Sequence, residues 1–430
     1  MRLTRRDFLK LTGAGATAAM LYKSGVLERA LDIIAKEVSA YNPSGTNIAW
    51  LQGQCCTGCT ISLLNWCGNY GGTYYTNIIS LLAAIPVGGG TGTQGAYLPL
   101  DFHPTVDTRA GVYYSEDGVS YTEYSDEEYN GATQPLPYWN SMKHLNDMLD
   151  NVTTGEVIVV IEGAIPPAKV GDMTSEFCVV GMKDSSEMYQ FEELVVDVVN
   201  HDCVYAVIAY GTCASFGGIP HGNPNPTGTR SVMERLREHG INKPVINIPG
   251  CPAHPDWLVL TLAAYIQGGA KGSLNNITLD SYNRPAYVTV DGTTIPLFAR
   301  PNHYWCERQS QFESGNVADD FSEAINTNKC LVKVGCRGFI AYACCPGIDY
   351  DADGDVSDDP KWNHDNFNPI YMDKNLGNWC VAAGSPCNAC VDPQYPDFEF
   401  WREPEHWEWY EKGMLESVMR CYWCHRDANK

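Results

Sequence analysis

The chain has 430 residues, 44% of them apolar, enough for two or three domains that each bury a core. Its formal net charge of −22 excludes the basic footprint that nucleic-acid binding needs; it suits docking to a basic partner such as a small cytochrome, and equally simple solubility. Eighteen cysteines point to metal ligands in a reducing compartment, and to clusters or disulfides in an exported protein.

The first 40 residues answer the compartment question. Thr4-Arg5-Arg6-Asp7-Phe8-Leu9-Lys10, followed by the weakly apolar run Leu11 to Leu21, reads as a twin-arginine signal, with Val38-Ser39-Ala40 as the best cleavage site. That route carries proteins already folded, so clusters would be loaded before export to the periplasm. No other stretch approaches the length of a membrane span, so any membrane association would come through a partner or a retained signal.

Residues 41–275 read as an α/β domain. Asn47-Ile-Ala-Trp-Leu51 is predicted as a buried strand running into Gly53-Gln54-Cys55-Cys56-Thr57-Gly58-Cys59, with a helix starting at Thr60. Val157 to Ile161 ends at Glu162-Gly163-Ala164, Val204 to Ala209 at Tyr210-Gly211-Thr212-Cys213, and Val245 to Ile248 at Pro249-Gly250-Cys251. Helical patterns over Glu187 to Asn200 and Ser231 to His239 lie between. The alternation predicts a flavodoxin-like doubly wound parallel sheet, in which ligands sit beyond the carboxyl ends of the strands. Cys56, Cys59, Cys213 and Cys251 all fall there, a complete thiolate set for one 4Fe–4S cluster. The Gly-, Tyr- and Thr-rich segment from Tyr70 to Asn151 reads as insertions, with Leu100 to Thr105 as a returning strand.

Residues 276–400 are read as an irregular iron–sulfur domain. His303, Cys306, Cys330, Cys336, Cys344, Cys345, Cys380, Cys387 and Cys390 stand among Asp, Asn, Gly and Pro, with no long apolar run. Such a segment needs something besides carbon burial to hold it, and thiolates closing on clusters would serve. Disulfides or zinc are the alternatives; adjacent Cys344-Cys345 and the His303-x-x-Cys306 pair fit disulfides poorly. Asp349, Asp351, Asp353 and Asp355 with Gly354 match the first half of a calcium loop, but Pro360 stands where its last acidic ligand belongs; a solvated acidic turn is the other reading. In the tail, residues 401–430, a helix is predicted over Glu405 to Met419. Cys421-Tyr-Trp-Cys424-His425 is then either an attachment signal for a c-type haem, a chance match, a disulfide or a zinc half-site.

Taken together, Cys56-Thr-Gly-Cys59, Gly211-Thr-Cys213-Ala-Ser-Phe-Gly-Gly218, Pro249-Gly-Cys251-Pro-Ala-His-Pro-Asp-Trp257, His303-Tyr-Trp-Cys306, Cys330-Leu-Val-Lys-Val-Gly-Cys336 and Cys387-Asn-Ala-Cys390 resemble the small, electron-transferring subunit of a nickel–iron hydrogenase. The resemblance spans most of residues 45–400. It implies a proximal 4Fe–4S cluster on Cys56, Cys59, Cys213 and Cys251, and a distal one on His303, Cys306, Cys330 and Cys336. It also implies a medial cluster on Cys345, Cys387 and Cys390. Cys380 replaces the Pro of many relatives and would complete that cluster as 4Fe–4S, as in the nickel–iron–selenium branch. Hydrogen would be split at a nickel–iron centre in a separate large subunit. Electrons would leave to a cytochrome-type acceptor, with a tail haem as one route. Glu162 and the other strand-end loops would face the large subunit. Cys55, Thr60 and Ile61 depart from the Glu and Ser-Glu of many relatives, and Cys55 reads as an inert buried thiol. The rivals are an iron–sulfur subunit of a quinone-reducing respiratory complex, which should lack the His303 to Cys390 module, and a disulfide-rich secreted binding protein.

Overall fold

The β-branched runs of the first half pair side by side. The computed structural model describes residues 47–64, 103, 145, 149–150, 156–180, 188–268, 273–349 and 379–397, together with the backbone of short strand segments at 67–70, 74–77, 85–86, 93–94, 100–102 and 181–182. The expected export signal, most of the expected 70–151 insertion, Asp351, Asp353, Asp355, the helix expected over 405–419 and Cys421, Cys424 and His425 lie outside the described residues.

Strand β1 (Asn47–Gln52) pairs in parallel with the short β2 (Leu100–Phe102) on one side and with β3 (Val157–Glu162) on the other. Beyond β3 come β4 (Val204–Tyr210) and β5 (Val245–Ile248), also parallel. The order across the sheet is therefore β2-β1-β3-β4-β5, the flavodoxin arrangement. The chain reverses its direction of winding between β1 and β3, which opens a crevice at their carboxyl ends.

Side chains alternate between the two faces of each strand, and the core divides accordingly. Ala49, Leu51, Val157, Val159, Ile161, Val207 and Ala209 pack on one face against α2 (Phe191–Asn200). Helix α3 (Thr212–Phe216) sends Ala214 into the same face, and helix α4 (Val232–Glu238) closes it, its first turn held by a reciprocal Ser231–Glu234 capping box. Ile48, Trp50, Ile158, Val160, Ile208, Tyr210, Ile246 and Ile248 form the other face. They meet α5 (Pro255–Gln267), which is buried on every side from Pro255 to Tyr265 because it is covered twice.

The second cover is a three-stranded antiparallel sheet that the sequence pattern did not announce: β6 (Ile277–Leu279), β7 (Pro285–Val290) and β8 (Thr293–Pro296). Val288, Val290, Ile295, Leu297 and Phe298 from this sheet and its edge pack on α5, and Ala341, Ala343, Ile348, Trp379, Val381 and Val391 from the cysteine-rich segment join the same core. That segment thus rests on apolar surface supplied by the α/β half. Two element boundaries also differ from expectation. Helix α1 (Gly58–Leu64) begins two residues before Thr60. Helix α2 begins at Phe191 and not at Glu187, because Met188–Gln190 pairs antiparallel with Val179–Met182.

Arg284 ties the layers together. It is 4% exposed, donates from Nε to Asp280 at 2.7 Å, and reaches the Val391 carbonyl from Nη1 at 3.2 Å. Removing one partner of a buried pair leaves the other charge uncompensated, so Arg284→Ala is expected to lower stability by roughly 3 kcal/mol in urea unfolding, against well under ~1 kcal/mol for a surface change such as Arg237→Ala.

Candidate functional site

At the β1/β3 crevice the last residue of β3, Glu162, turns inward and is 1% exposed. Its Oε1 accepts the backbone N–H groups of Cys59 and Thr60, each at 3.2 Å. Its Oε2 accepts from Trp50 Nε1 at 3.3 Å, from Gln52 Nε2 at 2.9 Å, and from the Thr60 hydroxyl. Five donors converge on two oxygens, an arrangement that an ionised carboxylate satisfies and a protonated one does not. The Thr60 hydroxyl accepts in turn from Gln52 Nε2 at 2.9 Å and lies 3.2 Å from His103 Nε2, whose ring stacks on Trp50. Glu162 thereby holds the start of α1 against the ends of β1 and β3, which explains the early start of that helix. Its side chain points into the sheet end and not to the surface of this chain.

The four thiols at the strand ends gather around this anchor. None is in a disulfide. Cys59 feels the charge of Cys213 and Cys251, and Cys213 that of Cys251 and Cys56, so the four stand close to one another. Backbone geometry makes room for them. Gly211 has φ +90°, and a Cβ there would stand 2.5 Å from Cys59 Sγ. Gly218 has φ +53°, and a Cβ there would stand 3.0 Å from Cys213 Sγ. Both positions therefore call for glycine twice over, for conformation and for space. Cys56 and Cys251 are exposed, and so are the apolar side chains of Ile61 and Leu64 on α1.

A second group is built by Cys345, Cys387 and Cys390. Asn302, 2% exposed, aims Nδ2 at Cys345 Sγ (3.4 Å) and Cys387 Sγ (3.8 Å), and accepts the Cys345 N–H at 3.1 Å. Cys380 lies near enough to act electrostatically on all three thiols, and also on Cys251 and Cys336. A third group comprises Cys306, Cys330 and Cys336, with His303 packed on Phe339 at 3.8 Å between ring centroids. The groups touch in sequence. Thr212 accepts the Gly250 N–H at 2.9 Å and donates to the Cys390 carbonyl, linking the first group to the second. The Cys387 N–H donates to Cys336 Sγ at 3.4 Å, linking the second to the third.

The chemistry of these donor sets fits iron–sulfur clusters. Burial, reinforced by neighbouring thiols, pushes Cys213 up to about 12; burial lifts Cys306 to about 12 and Cys336 to about 11. Burial raises Cys59, Cys345, Cys387 and Cys390 well above the ordinary range as well. Thiols buried this far do not ionise readily unless something positive sits among them, and bound iron would provide that charge. Burial pushes His303 down to about 4, leaving the neutral imidazole that ligates metal near neutral pH. Among the described residues no three His, Cys, Asp or Glu side chains close tightly enough to hold a single metal ion. A cluster asks for a wider cage, since each ligand bonds a different iron.

Of the calcium loop only Asp349 is described, and it is 5% exposed. Cys55 is half-buried and pushed up to about 11, chiefly by burial and then by Glu162, as an inert thiol would be. Cys344, which carried no expected role, is 2% exposed and accepts from Trp257 Nε1 at 3.0 Å. Gln52, Thr60, His103, Asn302 and Thr212 were not anticipated either. Only the departure at Thr60 from the family pattern signalled any of them. Glu162→Gln keeps the shape but turns an amide toward donors; it is expected to cost roughly 2–3 kcal/mol in urea unfolding, while Glu162→Ala costs more.

Comparison with known proteins adds a second line of observation. Residues 56–265 match the family described as NADH ubiquinone oxidoreductase, 20 Kd subunit, and residues 298–358 match the family of C-terminal regions of NiFe/NiFeSe hydrogenase small subunits. The periplasmic [NiFeSe] hydrogenase small subunit of Desulfomicrobium baculatum is 27% identical over 404 residues, covering 92% of this chain and 97% of the relative. The F420 non-reducing hydrogenase II small subunit of Methanosarcina mazei is 30% identical over 429 residues, covering 96% of this chain and 87% of the relative. The solved [NiFeSe] hydrogenase from Desulfovibrio vulgaris Hildenborough aligns with a TM-score of 0.55 at 26% identity, over 83% of this chain and 98% of that one. Likeness that runs through both halves of the sequence, at this identity and over nearly its whole length, admits one conclusion: the chain belongs to the small subunits of nickel–iron hydrogenases.

Proposed function

We propose that this chain relays electrons in a hydrogen-oxidising, periplasmic hydrogenase, through three 4Fe–4S clusters, to a cytochrome-type acceptor. The reaction at hydrogen belongs to a nickel–iron centre on a separate large subunit. The observation that carries the reading is the succession of three cysteine groups outside any disulfide, joined by Thr212–Cys390 and Cys387–Cys336 hydrogen bonds and starting at the sheet's crevice. Bound in these groups, iron–sulfur clusters supply one-electron carriers within one protein interior.

The chain's own residues place and shelter those carriers. Cys56, Cys59, Cys213 and Cys251 would hold the proximal cluster, with Glu162 fixing the backbone on which Cys59 rides. Cys345, Cys380, Cys387 and Cys390 would hold the medial one, with Asn302 donating to two of its sulfurs. His303, Cys306, Cys330 and Cys336 would hold the distal one. Hydrogen bonds to ligand sulfurs raise a cluster's potential, so the Asn302 amide and the Cys387 N–H act on the carriers they touch. Exposed Ile61, Leu64, Cys56 and Cys251 offer an apolar surface for the large subunit beside the proximal group. The proposed division puts the sheet and proximal group in residues 41–275, the other two groups in 276–400, and an accessory tail in 401–430.

The periplasmic name of the Desulfomicrobium baculatum relative and the twin-arginine pattern of residues 4–10 support export. Among the described residues no helix is long and apolar enough to cross a membrane. The match over residues 56–265 also suits the respiratory-complex reading, but the hydrogenase match over residues 298–358 covers the module which that reading does without. Cys421, Cys424 and His425 would carry one c-type haem, and Asp349, Asp351, Asp353 and Asp355 one calcium ion.

Four measurements test this function. In the matured complex this chain is expected to hold about twelve irons and as much acid-labile sulfide; a colourless chain would count against the reading. Cys380→Pro is expected to remove about one iron and to bring up the paramagnetic signal of an oxidised three-iron cluster. Haem staining of a denaturing gel is expected to show this chain, and to lose it in Cys421→Ser; an unstained wild-type chain removes the haem from the relay, and calorimetry with calcium decides the Asp loop in the same way.

A further inference from the structure

Buried charges of opposite sign stand at the two ends of the linked groups. At the strand-end group the buried charge is the anion Glu162. At the His303 group it is a cation. Arg308, two residues after Cys306, is 5% exposed. Its Nη1 donates to three backbone carbonyls: Ala324 (3.3 Å), Thr327 (3.3 Å) and Lys329 (2.8 Å), the last adjoining Cys330. Its Nε is buried and has no hydrogen-bond partner among the described residues. Its backbone N–H points at Cys306 Sγ, 3.4 Å away. Among the described residues no ion pair to a carboxylate is formed by this guanidinium, whereas the other buried arginines, Arg235 and Arg284, pair with Glu192 and Asp280. A guanidinium stays charged at any working pH, and burial without a counter-ion is costly unless the charge is used.

We infer that Arg308 is a positioning charge for the third group: it raises the reduction potential of what His303, Cys306, Cys330 and Cys336 hold, and so draws electrons outward from the Glu162 end. The inference rests on the reading that these four residues ligate an iron–sulfur cluster. Net charge near a cluster is one of the levers that set its potential. The guanidinium lies near enough to Cys330 to act on it electrostatically. Competing anions are present: Glu307 acts on Cys306 and Glu313 on His303. Both are exposed, so water and salt screen them, and the buried cation acts through a lower dielectric. With Glu162 disfavouring an extra electron at the first group and Arg308 favouring it at the last, the fold itself slopes the relay toward its exit.

The test is a redox titration of the assembled hydrogenase followed by electron paramagnetic resonance, read at the His303-ligated cluster and at the strand-end cluster. Arg308→Gln is expected to lower the reduced-to-oxidised ratio of the distal cluster about tenfold at fixed potential, a fall of about 59 mV for a one-electron couple, with the proximal cluster much less affected. Arg308→Lys keeps the charge and loses the planar fork; its distal potential is expected to stay close to wild type. Arg308→Met, which keeps the packed stem, gives the same comparison if the Gln variant does not assemble. An unmoved distal potential in the neutral variant, or a Lys variant shifted as far as the neutral one, would show that Arg308 only ties its loop and would overturn the inference alone. A wild-type protein lacking a His-ligated cluster would remove the inference together with the functional reading beneath it.

Discussion

A single buried carboxylate, Glu162, sets the geometry on which the remainder depends. It lies where β1 and β3 diverge, and it is the acceptor on which Trp50, Gln52, Cys59 and Thr60 converge. A lone ion in that place would be prohibitively costly, and five donors offset the loss of water. The same bonds fix the turn carrying Cys56 and Cys59 to the sheet end that delivers Cys213 and Cys251. Opening the crevice between β1 and β3 and anchoring the proximal thiols are therefore one structural act.

The cysteine-rich segment beyond Pro301 closes its core on apolar surface supplied by the rest of the chain. Helix α5 is the shared floor: the parallel sheet covers one side, and the β6–β8 sheet with Trp379, Val381 and Val391 covers the other. Polar ties then set the register. Trp257 on α5 donates to Cys344, Thr212 donates to the Cys390 carbonyl, and Arg284 donates to the Val391 carbonyl. Each tie lands on or beside a cysteine of the second group, so packing of the scaffold is converted directly into placement of its thiols. Buried thiols pushed far up in pKa make this arrangement poised for metal and poor at anything requiring free thiolate.

Much of this was legible in the chain itself. Val157-Ile-Val-Val-Ile161 and Val204-Tyr-Ala-Val-Ile-Ala209 read as buried strands because β-branched runs closed by glycine have few other uses. The Cys-x-x-Cys and His-x-x-Cys spacings marked the ligand candidates because local chain geometry limits which side chains can share one cage. The β6–β8 sheet was not legible. Its strands are short, and Pro285-Ala-Tyr-Val-Thr-Val290 looks like one more irregular run until a helix is laid beneath it. The start of α2 was misplaced for a related reason: Met188–Gln190 has the pattern of a helix and is held as a strand by a partner hairpin.

The sequence by itself determined the strands of the parallel sheet, their winding and the cysteines, because these follow from residue type and from spacings of a few positions. Only the tertiary structure decided that Glu162 points inward, that Thr60, His103 and Asn302 serve the thiols, and that Arg308 stands beside Cys306 with no ion pair among the described residues. Those are contacts between residues up to about a hundred positions apart. Their charges and hydrogen bonds take their value from burial, and burial exists only once the layers have closed.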